Sequence, residues 1–224
     1  MINNFTFTKE VSMFDKELIA KLLGKFDEIY KETSYKSNFD HIRHLRKNDI
    51  LEEPLFLSLH NKIKKKIQLL TGFNDLSFEK LWLVTSSSNV TNKAALPYIP
   101  HIDKSRYLKA MVYLHDVSLK HGPIHLGQVK NTIDIELRRK DLPQDYKDKG
   151  LNTIADEHLE GNLIPMAGKA GDVIFFDTNT PHKAGIVKNK HYRKVLRFDF
   201  ERPFLNQKII FLIYSLDVYP IFEF

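Results

Sequence analysis

A chain of 224 residues with 42% apolar and 28% charged side chains is long enough for one domain with a full core, and its composition is ordinary for a globular protein. The absence of cysteine excludes disulfides and thiolate metal sites, so any metal must sit on His, Asp or Glu. The net charge of +6 gathers mainly in Lys64-Lys65-Lys66 and Arg138-Arg139-Lys140, both flanked by helix-like sequence. These read as solvated faces rather than an aromatic-laced basic stripe, so no nucleic acid partner is expected.

The N-terminus, MINNFTFTKEVS, has no basic stretch followed by an apolar one, which predicts no signal peptide. Residues 13–31 place Phe14, Leu18, Ile19, Leu22, Phe26 and Ile29 at helical spacing, with Ser12 as the expected N-cap. Residues 54–70 repeat the pattern with Leu55, Leu57, Leu59, Ile63, Ile67 and Leu70, and Pro54 takes a favoured first-turn position. From residue 79 the character changes. Leu81 to Val84, Tyr107 to Val117, Gly122 to Leu126, Asp172 to Phe176 and Lys194 to Phe200 are short β-branched and aromatic runs separated by turn formers.

Two helices followed by many short strands predict a mainly β (α+β) protein forming a single domain over 1–224. A helical buttress would span 1–75 and the β core 79–205. The polar interval 131–162, broken by Leu142-Pro143, Lys149-Gly150 and Glu160-Gly161, reads as a lid insertion. The longest apolar stretch, Ile209 to Tyr214, is too short to cross a bilayer. No membrane span is expected, and the default is a cytoplasmic protein.

His101-Ile102-Asp103 sets two metal-ligand side chains two residues apart, and on a strand such residues share a face. His182, following the strand at 172–176, supplies a distant third ligand. Two imidazoles and one carboxylate with open positions form the facial triad suited to Fe(II) handling O₂. The pair His-x-Asp is a weak signal alone in a chain with ten histidines. His115, His121, His125 and His191 read as turn or core residues, and Asp172 and Asp177 as strand-end structural acids. Arg193 and Arg197 share a face of one strand, so either can point inward. Tyr113 offers a hydroxyl nearby, although a half-buried aromatic in a sheet is common without function.

The context of these residues carries more. Gly168-Lys169-Ala170-Gly171-Asp172-Val173-Ile174-Phe175-Phe176-Asp177, leading into Pro181-His182, resembles the distal-histidine strand of phytanoyl-CoA dioxygenase-like oxygenases. Met111 to Val117 followed by Gly122-Pro123-Ile124 resembles the strand and turn that follow His-x-Asp in that family. Arg193 lies eleven residues after His182, where the family places its 2-oxoglutarate arginine.

The resemblance covers about residues 95–200. It implies a double-stranded β-helix, a jelly-roll or cupin-like barrel, with His101, Asp103 and His182 holding Fe(II) at its mouth. It further implies 2-oxoglutarate as co-substrate, O₂ as oxidant, and a small-molecule substrate hydroxylated at a C–H bond. Arg193 would bind the far carboxylate, with Arg197 and Tyr113 as further candidates. Halogenases of this kind replace the acid with a small residue, and this chain keeps Asp103. Two departures stand out: Ala184 replaces a frequent serine, and Gln128-Val129-Lys130-Asn131 replaces a Pro-Gly-Ser-His turn. Arg138, Arg139, Lys140 and Lys147 in the insertion offer cationic groups to an anionic substrate, the alternative being that they only solvate the insertion. A cupin-type metalloenzyme without 2-oxoglutarate and a non-catalytic binding barrel are the competing readings.

Overall fold

The computed structural model describes residues 5–32, 40–88, 93–94, 96–103, 106–129, 154 and 159–201. The expected first helix is α1 (Lys16–Lys31), which buries Ile19, Leu22 and Phe26 along one stripe. Its N-cap is Asp15, whose carboxylate accepts from the Leu18 N–H at 2.8 Å, and not Ser12. Ser12 stands at φ 51 in the preceding turn, and its N–H is bound by Asp172 Oδ1 at 2.8 Å. After a short α2 (Lys47–Glu52), α3 (Pro54–Thr71) has Pro at its first turn and ends on left-handed Gly72 at φ 70.

The N-terminal segment is not purely helical. It contributes β1 (Phe7–Glu10) and β2 (Asp40–Leu45), which form the two edges of the larger sheet. That sheet is completed by β3 (Ser77–Ser87), β4 (Tyr107–Tyr113), β7 (Val173–Asp177) and β9 (Tyr192–Glu201), in the order β1-β7-β4-β9-β3-β2. Every pairing in it is antiparallel. A smaller sheet, in the order β6-β5-β8, consists of β5 (His125–Val129), β6 (Leu159–Pro165) and β8 (His182–Lys183). Two antiparallel sheets with helices on one outer face make the mainly β, double-stranded β-helix architecture that the sequence predicts. Residues 159–162, expected in the lid, belong instead to β6, and most of 131–158 lies outside the described residues. Among the described residues no helix is long and apolar enough to cross a membrane.

Alternation along the strands divides the larger sheet into two faces with different work. Leu81, Leu83, Leu108, Ala110, Val112, Val173, Phe175, Leu196, Phe198 and Phe200 pack with the helices in one core. Each large aliphatic or aromatic side chain buried there contributes about 1.5–3 kcal/mol. The opposite face packs Val84, Met111, Tyr113, Ile174, Phe176 and Val195 against Ile124, Leu126 and Met166 inside the barrel. Both faces being covered explains why these strands read as apolar runs rather than as clean alternation.

The turn before β7 is tied to the helical layer. Gly171 sits at φ +89 and accepts the Phe14 N–H at 3.2 Å. A Cβ there would lie 2.2 Å from the Phe14 carbonyl oxygen. Gly171→Ala is therefore expected to cost about 3 kcal/mol, from left-handed strain together with overlap against backbone. Thermal unfolding should show a midpoint about 6–12 °C lower; an unchanged midpoint would refute this account of the turn.

Candidate metal centre

His101 and His182 face each other across an antiparallel bridge. The His101 N–H donates to the His182 carbonyl at 2.9 Å, and the His182 N–H donates back at 2.8 Å. The imidazole centroids are 4.3 Å apart. Two residues further, the Asp103 N–H donates to the Thr178 carbonyl at 3.2 Å, so 101–103 runs along the turn that ends in His182. This segment is extended but makes one isolated bridge rather than a ladder. The shared face expected of His101 and Asp103 survives because the backbone is extended.

The turn from β7 to β8 is fixed by side chains. Asp177 accepts from Arg106 Nε at 3.0 Å and from the Asn179 N–H at 2.9 Å. Thr178 Oγ1 accepts the Tyr107 N–H at 2.8 Å, and Thr180 Oγ1 donates to the Thr6 carbonyl at 2.9 Å. Asp172 accepts the Ser12 and Lys169 N–H groups. Both aspartates thus fill the structural roles expected of them.

The imidazole tautomers follow from their partners. Nδ1 of His101 lies 2.8 Å from the Ile99 carbonyl, and Nδ1 of His182 lies 2.8 Å from the Thr180 carbonyl. A carbonyl can only accept, so each Nδ1 carries the proton and each Nε2 presents a lone pair. The ligand atoms of His101, Asp103 and His182 all lie within 4.8 Å of one another, and Asp103 Oδ1 is 3.6 Å from His182 Nε2. Two lone pairs and a carboxylate oxygen converging this way repel one another unless a cation lies between them, and this donor set suits Fe(II). No other such group of three occurs among the described residues. Burial lowers the His101 pKa to about 4 and also lowers that of His182, so both rings stay neutral near pH 7.

Asp103 meets a further partner that the sequence reading missed. Lys109, 6% exposed on the inner face of β4, sets its ammonium 2.5 Å from Asp103 Oδ2. Burial alone would raise the Asp103 pKa, but Lys109 and His182 outweigh it and hold the carboxyl well below its usual range. A signal was present: Lys109 interrupts the apolar run Leu108 to Tyr113.

Arg193 and Arg197 both point into the barrel from β9, as their common parity requires. Arg193 is 4% exposed and donates from Nη2 to Ser86 Oγ at 3.0 Å, while its Nε and Nη1 have no hydrogen-bond partner among the described residues. Arg197 is paired with Asp199 at 2.9 Å and lies 4.6 Å over the Trp82 ring, whose Nε1 donates to the same carboxylate. The Tyr113 hydroxyl donates to the Met166 carbonyl at 2.7 Å. His115 accepts the Lys194 N–H, His121 bonds Ser118, and His125 bonds the Pro123 carbonyl. Among the described residues no carboxylate pairs with Arg193, and a buried guanidinium in that state calls for an anion.

The sequence profile of phytanoyl-CoA dioxygenase (PhyH) matches residues 84–195, half of the chain. No curated protein sequence matches. The non-heme α-ketoglutarate-dependent epimerase SnoN, from nogalamycin biosynthesis, superposes with a TM-score of 0.60 at 18% identity, over 89% of this chain and 81% of that one. The carbocyclase SnoK, from the same biosynthesis, gives 0.60 at 14% identity, over 93% and 86%. HygX from Streptomyces hygroscopicus, solved with nickel and 2-oxoglutarate bound, gives 0.60 at 13% identity, over 89% and 84%. At these identities the likeness establishes the fold.

The His101 environment sets a pH dependence. An unfolded imidazole takes its proton near 6.5 and the folded one only near 4, so between these values the unfolded chain binds more protons. Stability of chelator-treated protein is expected to fall as pH drops through that window, by up to about 3 kcal/mol from this residue. Urea midpoints at pH 7 and pH 5 would measure it. His101→Gln should flatten the difference, and a midpoint that rises toward pH 5 would contradict it.

Proposed function

The chain belongs to the phytanoyl-CoA dioxygenase family, and from that premise we propose that it is an Fe(II)- and 2-oxoglutarate-dependent oxygenase that hydroxylates a C–H bond of a small molecule. The observation that carries the reading is the convergence of two Nε2 lone pairs and the Asp103 carboxylate inside the barrel that also encloses the unbalanced Arg193. When bound, Fe(II), 2-oxoglutarate and O₂ supply the oxidising chemistry, with succinate and CO₂ as co-products. The chain supplies position: His101 and His182 through Nε2, Asp103 through its carboxylate, and neutral rings kept so by burial.

Arg193 is our choice for the far carboxylate of 2-oxoglutarate. Its fork has two unpaired N–H-bearing nitrogens, whereas Asp199 already balances Arg197 and Met166 already takes the Tyr113 proton. Ala184 lacks a hydroxyl, and its N–H donates to the Pro97 carbonyl, so the guanidinium carries more of that recognition. Retention of Asp103 as an acid supports hydroxylation over halogenation. One solved neighbour is an epimerase and another a carbocyclase, so the fold does not choose the outcome, and hydroxylation is the default we adopt. The basic residues at 138–147, outside the described region, support an anionic substrate.

Succinate release against a panel of small acids, sugars and acyl conjugates tests the reading. It should require both Fe(II) and 2-oxoglutarate; turnover that persists without 2-oxoglutarate would favour a cupin-type metalloenzyme. His101→Ala should reduce release to background, and activity surviving that change would sink the site. Arg193→Gln should raise the KM for 2-oxoglutarate by about 10–100-fold, the equivalent of a lost charge-assisted hydrogen bond. Arg197→Gln should leave that KM within about threefold; the reverse pattern would exchange the two arginines.

A further inference from the structure

We propose that Lys109 is a positioning residue for the metal-binding carboxylate, holding Asp103 Oδ2 so that Asp103 offers Oδ1 alone to the ion. The inference rests on the metal reading above and concerns a residue that is not itself a ligand.

The two oxygens of Asp103 face different neighbours. Oδ1 lies toward His182 Nε2 at 3.6 Å, and Oδ2 lies on the Lys109 ammonium at 2.5 Å. A lysine is almost never fully buried unless it is paired, and Lys109 is 6% exposed. Its position is set by the sheet. Lys109 stands opposite Phe176 on β7 and Asp199 on β9, in the interior of the larger sheet. The ammonium also lies 5.1 Å from the Tyr107 ring centroid and 5.5 Å from that of Phe176. A side chain packed on a central strand between two rings has little freedom to release its partner.

The consequence is one of coordination number. An octahedral ion bound by three protein atoms keeps three positions, enough for a chelating 2-oxo acid and one further ligand. If Asp103 closed on the ion with both oxygens, one of those positions would be lost. An ammonium on Oδ2 prevents this, and it also draws charge from the carboxylate, so Lys109 does not serve to tighten the metal. A mere structural counter-ion behaves differently. Its loss would weaken the fold, the metal and the co-substrate together.

Lys109→Met keeps the length and apolar stem while removing charge and donor, and Lys109→Arg keeps both. Mn(II), which is redox-silent here, serves as the probe ion, followed by electron paramagnetic resonance, and 2-oxoglutarate binding to the Mn(II)-loaded protein is followed by calorimetry. Lys109→Met is expected to hold Mn(II) within about threefold of wild type or more tightly, yet to bind 2-oxoglutarate at least about tenfold more weakly. Lys109→Arg should restore co-substrate binding to within about threefold. Unchanged 2-oxoglutarate affinity in Lys109→Met, or equal losses of Mn(II) and 2-oxoglutarate, would overturn the proposal. Should Lys109→Met not fold, water-proton relaxation on wild-type protein decides: about three exchangeable waters on Mn(II) support a single-oxygen Asp103, and about two overturn it. Failure of the metal reading itself would look different. Wild type would then bind no Mn(II), or His101→Ala would leave its binding intact, and both ideas would fall.

Discussion

The pair of backbone hydrogen bonds between His101 and His182 is the constraint on which the rest of the site depends. It joins the end of an extended segment with no ladder of its own to a two-residue strand of the smaller sheet. Neither piece would hold a side chain in place alone. Bonded to each other, they fix the two imidazoles by backbone geometry, and the Asp103–Thr178 bond carries the same alignment to the carboxylate. Behind this lies a second layer of bonds, from Arg106 and Tyr107 to Asp177 and Thr178 and from Thr180 to Thr6, which keeps the turn from drifting. Side chains placed by backbone pairing and supported by such partners have the kind of support that a preorganised site requires.

The same sheet divides stability from chemistry by parity. Its even positions on β4 and β9 feed an apolar core shared with α1 and α3, while the odd positions bring Lys109, Arg193, Arg197 and Asp199 into the barrel. Buried charges cost several kcal/mol each unless they are compensated. Asp103 compensates Lys109 and Asp199 compensates Arg197, whereas Arg193 has, among the described residues, only a neutral hydroxyl. A fold can tolerate that imbalance when the opposite face of the same strands buries Phe198, Phe200, Leu196 and their helical partners. The strain on one face is offset by packing on the other.

How much of this was legible in the sequence varies with the physical signal. The helices announce themselves by spacing, but Ser12 and Asp15 both precede the buried stripe of α1, and it is Asp15, three residues before Leu18, that caps the helix. The strands β3, β4, β7 and β9 were visible because both their faces are covered. β1 and β2 are short, polar edge strands whose pairing depends on partners distant in sequence, as Phe7 opposite Phe176 illustrates. β6 was hidden within a polar interval because most of its residues are exposed. The grouping of His101, Asp103 and His182 was legible because ligand spacing survives without knowledge of packing, whereas the choice of Arg193 rested on the family resemblance. Lys109 left a trace as the one charge in an apolar run, but only the register with Phe176 and Asp199 places it inside the barrel.

That register also sorts the charges of the inner face. Lys109, Asp199, Arg197 and Trp82 occupy neighbouring positions at one end of the inner face, and Arg193 with Ser86 occupies the other. Between them lies an apolar band formed by Val84, Tyr113 and Val195. Arg193 and Asp199 are separated by about 20 Å of strand, at roughly 3.3 Å per residue. The charges around Asp103 are neutralised in pairs, Lys109 with Asp103 and Arg197 with Asp199, whereas Arg193 pairs with no carboxylate among the described residues. The fold is shared by an epimerase and a carbocyclase, so the architecture alone selects no ligand, and that selection falls to the side chains the strands present.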